Sequence, residues 1–328
     1  MTTALNKVYS SLSMKRRYEV WFLRVGLVDG SGAWWFRYLL VNPGRKGCAA
    51  RLGGEPVQVW ATWFPRGGEA RHWIEGFSLK NLAVSLRQRS PFSLSIGRNS
   101  IDESSCKGEL SVGGHEVSWA LRYQSRFEAT LSNKGWIGFS RTPHSDAAFS
   151  GEIRLDGQTL RGEPLGLGLQ GHNCGFRHRN FWTWAHAIFM NADGSLSSFE
   201  ALVYEMPFGL VFRKTVLWHK GSAIQLTRFQ KELRNRDSLV WSFEAQRKDG
   251  TRIEVAIDGS GPSIHRLPYL RTDCSGSFDV ANNSLADAHV ALIRPGEPVT
   301  RLATVGGAVL EMVGDPRMER PGKAVAYS

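Results

Sequence analysis

Short runs of alternating apolar and polar residues, each ended by a turn that contains glycine, recur from one end of the chain to the other, and few folds satisfy that pattern. From Tyr18 the alternation sets Tyr18, Val20, Phe22 and Arg24 on one face and Glu19, Trp21, Leu23 and Val25 on the other. Asp29-Gly30-Ser31-Gly32 ends the run, and residues 34–41 return as the second arm of a hairpin. Residues 58–64 and 116–123 are further strand-length runs, and others flank Asp156-Gly157, Asp193-Gly194, Lys220-Gly221 and Asp249-Gly250. Glycine supplies the positive φ that tight hairpin turns need, so these pairs predict antiparallel neighbours; the last joins Leu239, Trp241 and Phe243 to Ile253, Val255 and Ile257. Helical periodicity is confined to a short candidate at residues 76–87, and strands do not alternate with long helices as a parallel α/β fold requires. No close repeat of roughly twenty to fifty residues is present, which argues against a propeller or solenoid.

A chain of 328 residues is long for one core, and the Gly- and Pro-rich stretch at residues 141–171 is the natural place to divide it. The expectation is an all-β protein of two consecutive antiparallel barrel or sandwich domains, residues 1–164 and 165–328, with few short helices. Its 12 Trp and 17 Phe supply large planar contacts, and each indole keeps one polar N–H. The net charge of +11 favours an anionic partner, yet the densest basic clusters, Lys15-Arg16-Arg17, Arg177-His178-Arg179 and residues 228–236, form no long stripe. Nucleic acid is therefore not an expected partner, whereas weak peripheral attraction to an anionic membrane is compatible with the charge. No apolar run approaches the roughly 18 residues of a spanning helix, and residues 1–17 lack the apolar centre of a secretory signal. A cytoplasmic protein with Cys48, Cys106, Cys174 and Cys274 as reduced thiols follows as the expectation.

The richest segment is Gly171-His172-Asn173-Cys174-Gly175, which leads through Arg177-His178-Arg179 into Phe181-Trp182-Thr183-Trp184-Ala185-His186. A two-residue loop at Asp193-Gly194 would put Ile188 opposite Phe199, His186 opposite Ala201, Trp184 opposite Val203 and Trp182 opposite Glu205. Trp182, Trp184, His186 and Glu205 would then share one face, with Glu200 and Tyr204 on the other beside Ala187 and Thr183. An odd change in loop length exchanges the two sets, so each carboxylate is a candidate, and both cannot face one cavity. A carboxyl group among indoles has its pKa raised by desolvation, the condition for a general acid at neutral pH.

The Gly-His-Asn-x-Gly element followed by Trp-x-Trp-x-His, with the early Tyr18-Glu19-Val20-Trp21 and Trp34-Trp35-Phe36-Arg37-Tyr38 hairpin, resembles the lipocalin-like superfamily of carotenoid 1,2-hydratases and tocopherol cyclases. That resemblance implies two lipocalin-like β domains with a ligand cavity between or within them and no cofactor. It also implies acid-initiated chemistry on isoprenoid alkenes, in which a carboxylic acid protonates a double bond and indoles shelter the cation. The related sequences usually carry Trp where this chain has Cys174, and no acid is carried over residue by residue. The candidate catalytic residues are accordingly Glu200, Glu205, His172 and His186, and the candidate substrate contacts are Trp34, Arg37, Asn173, Trp182, Trp184 and Tyr204.

Each of these has a structural alternative. His172 and Asn173 suit a buried turn, Trp182 and Trp184 suit barrel filling, and His186 and Arg37 suit satisfied structural roles. The spacing of His172, His178 and His186 matches no familiar zinc or iron pattern, so no metal is expected. No Gly-x-Ser-x-Gly is present, and Gly166-x-Gly168-x-x-Gly171 lies outside the strand-to-helix context of a dinucleotide site. The expected function is acid-promoted hydration or cyclisation of an apolar isoprenoid or polyketide-like substrate; the alternative is a lipid or pigment carrier that uses the same cavity.

Overall fold

A computed structural model describes residues 4–9, 17–41, 55–84, 92–133, 138–272 and 276–314; Lys15, Arg16, Cys48 and Cys274 lie outside them. The chain forms two large antiparallel sheets. The first holds β1 (Tyr18–Leu27), β2 (Gly32–Val41), β3 (Val57–Pro65), β4 (Arg71–Phe77), β5 (Leu82–Val84), β6 (Ser93–Ile96), β7 (Asn99–Asp102), β8 (Ser105–Val112), β9 (His115–Gln124), β10 (Ala129–Asn133), β11 (Gly138–Leu155) and β12 (Gln158–Gly175). Their order is β4-β3-β2-β1-β12-β11-β9-β8-β7-β6-β5, with β10 paired to β11, and β4 also packs against β8 as the sheet curls on itself. The second holds β13 (Trp182–Met190), β14 (Leu196–Glu205), β15 (Val211–His219), β16 (Ser222–Leu226), β17 (Arg228–Asn235), β18 (Val240–Gln246), β19 (Arg252–Asp258), β20 (His265–Leu270), β21 (Ser277–Ile293) and β22 (Thr300–Val313). Here the order is β16-β15-β14-β13-β22-β21-β19-β18-β17, with β20 on β21.

Helix among the described residues is limited to three-residue 3-10 turns at Ala4–Asn6, Leu79–Asn81 and Pro207–Gly209, and none is long and apolar enough to cross a membrane. The helical candidate at residues 76–87 is corrected: Gly76 and Phe77 finish β4, one 3-10 turn follows, and Leu82–Val84 is β5, with residues 85–87 outside the described set. Pairing of β4 with β3 and of β5 with β6 overrides a weak local period.

The stretch at residues 141–171 lies within two 18-residue strands, and the chain changes sheets at residues 176–181. Pro164 is thus inside β12. The glycines of β12 allow close strand contact: a Cβ at Gly168 would lie 1.8 Å from the Arg24 carbonyl oxygen.

The alternation along β1 sorts its side chains as its sequence predicts. Trp21, Leu23 and Val25 join Trp34, Phe36, Tyr38 and Trp119 in the interior of the first sheet. The other face, with Phe22, meets Trp184, Leu202 and Tyr204 of the second sheet. Arg24 pins this seam, its buried guanidinium donating to the carbonyls of Ser284 (2.8 and 3.2 Å), Gly306 (2.7 Å) and Gly307 (3.2 Å). Burial pushes its pKa down to about 10, which leaves it charged at neutral pH.

Turn chemistry sets strand register in both sheets. Asp156-Gly157 and Lys220-Gly221 are two-residue turns in which both residues have positive φ (50° and 82°, 47° and 76°), joining Leu155 to Gln158 and His219 to Ser222. Asp193-Gly194 is not. Asn191 N–H donates to Ser195 O, Met190 pairs with Leu196, and within the loop Ala192-Asp193-Gly194 positive φ falls on Gly194, at 76°. The Asp193 carboxylate accepts both the N–H and the hydroxyl of Ser195, closing a local turn that adds the third loop residue. The expected register is therefore corrected by one residue. Ile188 lies opposite Ser198, His186 opposite Glu200, Trp184 opposite Leu202 and Trp182 opposite Tyr204.

Candidate functional site

With that register, Trp182, Trp184, His186, Glu200, Leu202 and Tyr204 share the face of β13 and β14 that meets the first sheet, and Glu205 points the other way. Between the sheets lies a cavity of about 160 Å³ walled by Val20, Phe22, Trp35, Trp182, Trp184 and Tyr204. Phe22 meets Trp184 edge to face at 5.7 Å, and Trp35 meets Trp184 at 6.0 Å. The Gly-His-Asn-x-Gly element of β12 makes room for this wall. A Cβ at Gly171 would come within 2.2 Å of the Phe22 ring, and one at Gly175 within 3.1 Å of the Tyr18 ring. Glycine is needed at Gly171 because the end of the Phe22 ring occupies the place of a side chain there.

Polar groups interrupt the aromatic wall at defined points. Glu311 of β22 accepts hydrogen bonds from Trp182 Nε1 (2.9 Å), Arg37 (3.2 Å), Tyr269 (3.3 Å) and Asn282 (3.3 Å). The Arg37 cation lies over the rings of Trp35 (4.6 Å) and Tyr269 (4.7 Å); its burial lowers its pKa, and Glu311 opposes that shift. Tyr204 shares a hydrogen bond with Ser132 at 3.0 Å, and Tyr18 stacks on His178 at 4.0 Å. Burial holds the Tyr18 phenol well above the ordinary phenol range. Asn173 also lines the cavity, and its Oδ1 is buried with no hydrogen-bond partner among the described residues. Arg177, His178 and Arg179 line it from the link between the sheets.

Of the residues singled out from the sequence, Arg37, Asn173, Trp182, Trp184 and Tyr204 come together on this cavity. Trp34 does not; it faces the opposite way from Trp35 and packs with Phe36, Trp63 and Trp73 in the first core. His172 also points into that core, where it stacks on Trp21, donates from Nδ1 to Leu5 O at 2.6 Å and meets Glu19 Oε1 at 2.8 Å through Nε2. His186 donates from Nε2 to Ser145 O at 2.7 Å, and burial pushes its pKa down to about 3, so it is neutral. Glu205 accepts the Asn180 N–H at 2.8 Å on the far face of β14. Among the described residues no three His, Cys, Asp or Glu side chains are placed to hold a metal ion.

Glu200 sits one layer behind the cavity wall. Its Oε1 accepts Trp184 Nε1–H and Thr142 Oγ1–H, both at 2.8 Å, while Oε2 is buried without a partner among the described residues. Burial pushes its pKa up to about 7, against the pull of those two donors. The carboxylate on the wall itself is Glu311, which sequence reading missed along with Tyr18, Ser132, Arg179 and Tyr269. It lies 274 residues from Arg37, and the one local signal was an arginine on an otherwise apolar strand that requires an acceptor.

No protein-family model matches the chain, and no curated protein matches it. Solved structures do match. CghA, determined with Sch210972, is 10% identical over 91% of this chain and 88% of that chain, with a TM-score of 0.64. Kievitone hydratase from Nectria haematococca is 12% identical over 95% and 94%, with a TM-score of 0.53. A putative AttH from Nitrosomonas europaea is 12% identical over 92% and 93%, with a TM-score of 0.52. At these identities the likeness is one of architecture alone, an all-β, lipocalin-like fold of antiparallel sheets.

Proposed function

We propose that the chain is an enzyme that takes an apolar, unsaturated isoprenoid or polyketide-like molecule into the seam between its sheets and promotes hydration or cyclisation there. One observation carries this reading: an aromatic cavity on whose wall Glu311 is the single carboxylate among the described residues, held by Arg37, Trp182 and Tyr269. Indole and phenol faces lower the energy of cationic character developing along an alkene. Glu311 takes the proton from the water or ligand hydroxyl that adds to the alkene and returns it to the alkene carbon, so that no proton is gained or lost overall. The Tyr204 hydroxyl, oriented by Ser132, is placed to polarise a ligand oxygen. Glu200 acts through Trp184 as a positioning residue. The neighbouring fold that bears a hydratase's name supports an addition reaction.

The test begins with solvent extraction of purified protein, identification of bound apolar material by mass spectrometry, and its return to the protein. Hydration gives a product heavier by one water, and cyclisation gives an isomer of equal mass. Glu311→Gln is expected to slow product formation on the order of 100-fold while ligand is still retained. Turnover that is unchanged in this variant overturns the role of Glu311. A carrier function is the second reading, favoured by the four donors that already occupy the Glu311 oxygens. In that case the wild-type protein returns its ligand chemically unchanged.

A further inference from the structure

We propose that the ligand of this cavity carries an acidic oxygen head group, a carboxylate or an ionised enol or phenol, seated on Arg179 and Arg177. This rests on the reading above that the seam cavity is the ligand site, and it adds a chemical class that an aromatic wall alone does not specify.

The charge balance of the cavity carries the inference. Among the described residues three guanidinium groups, Arg37, Arg177 and Arg179, line it against one carboxylate, Glu311, and that carboxylate is bound to Arg37. Among the described residues neither Arg177 nor Arg179 has a carboxylate within ion-pair distance. Arg179 is only half exposed, with its cation 5.8 Å from the centre of the Tyr204 ring, and its charge pulls the buried Tyr18 phenol towards ionisation against the larger effect of burial. A guanidinium brought this far out of water gains most from a counter-ion, and its planar fork suits a two-oxygen anion. Asn173 adds a second, independent sign of a ligand. Its buried Oδ1 lacks a donor on the same wall, and a hydroxyl beside the anionic oxygen of a head group would supply one.

The apolar body would then lie on Trp182, Trp184 and Trp35, with the head group held by the link at residues 176–181. Because that link joins the two sheets, head-group binding also ties them together.

The experiment compares cis-parinaric acid with its methyl ester, which share one polyene and differ in charge, by quenching of intrinsic tryptophan fluorescence near neutral pH. The acid is expected to bind roughly tenfold or more tightly than the ester. Arg179→Gln should weaken acid binding about tenfold and leave the ester unchanged, Arg179→Lys should restore part of the preference, and Arg177→Gln/Arg179→Gln should abolish it. Equal binding of acid and ester by the wild-type protein, or a preference that survives in the double variant, overturns the head-group inference and leaves the cavity reading standing. Binding of neither probe overturns both.

Discussion

Trp34 and Trp35 are neighbours on one strand, yet one belongs to the interior of the first sheet and the other to the seam between the sheets. Trp34 stacks nearly parallel to Phe36 at 5.6 Å and is closed over by Trp63 and Trp73 of the same sheet. Trp35 faces the second sheet, and part of what it meets is open volume. Both regions bury an acidic group beside a basic one. In the first interior Glu19 meets His172, and residues 4–9 cover them, with Leu5 O on His172 and Asn6 O on the Trp21 indole. In the seam Glu311 meets Arg37 on the wall of a cavity. A curled sheet can fill its own interior, because the same strands repeat their packing around it. Two separately built sheets meet along surfaces that match less completely, and the mismatch is the pocket.

Paired substitutions sharpen this contrast. Trp34→Ala should cost about 3–5 kcal/mol in urea unfolding and leave the affinity of the surviving folded protein for a polyene nearly unchanged. Trp184→Ala should cost less stability and weaken that affinity about tenfold; matching effects of the two on both measurements would erase the distinction. Arg24→Met removes the donors of several buried carbonyls at the seam and should cost about 3 kcal/mol, with a substantial loss of ligand affinity because the sheets are held less firmly. A stability loss without an affinity change would show that the cavity does not depend on this pin.

Glu200→Gln tests the layer behind the wall. The Glu200 carboxyl keeps its proton up to about pH 7 in the fold, against 4.5 in the unfolded chain, so the native state binds more protons between those values. Its contribution is therefore full below about pH 4.5 and is lost as pH rises through about 7, a swing on the order of 3 kcal/mol at most. His186 gives the opposite slope, since the unfolded chain gains a proton below about 6.5 that the native state refuses until about 3. The difference between wild type and Glu200→Gln cancels the His186 term and should fall with rising pH; a flat difference would place Glu200 in a wetter setting than its burial indicates. Glu205→Gln keeps an acceptor for the Asn180 N–H and should change stability by less than about 0.5 kcal/mol.

What the sequence determined by itself was local. The side-chain period of two separated Tyr18, Val20, Phe22 and Arg24 from Glu19, Trp21, Leu23 and Val25, and glycine turns made the strands antiparallel, because both follow from the backbone within a few residues. It did not determine the parity of the β13–β14 hairpin. Asp193-Gly194 fits a two-residue or a three-residue loop, and one residue of difference moves Glu200 to the face of Trp184 and Glu205 away from it. The glycines at residues 141–171 also read as a place to divide the chain, where in the fold they serve close strand approach and, at Gly171, the ring of Phe22. Tertiary structure alone decided that Trp35 meets a cavity while Trp34 meets a core, and that Glu311 finds Arg37 across 274 residues. Burial, electrostatic pairing and open volume at the seam belong to the docking of two sheets, and no pattern within either strand contains that information.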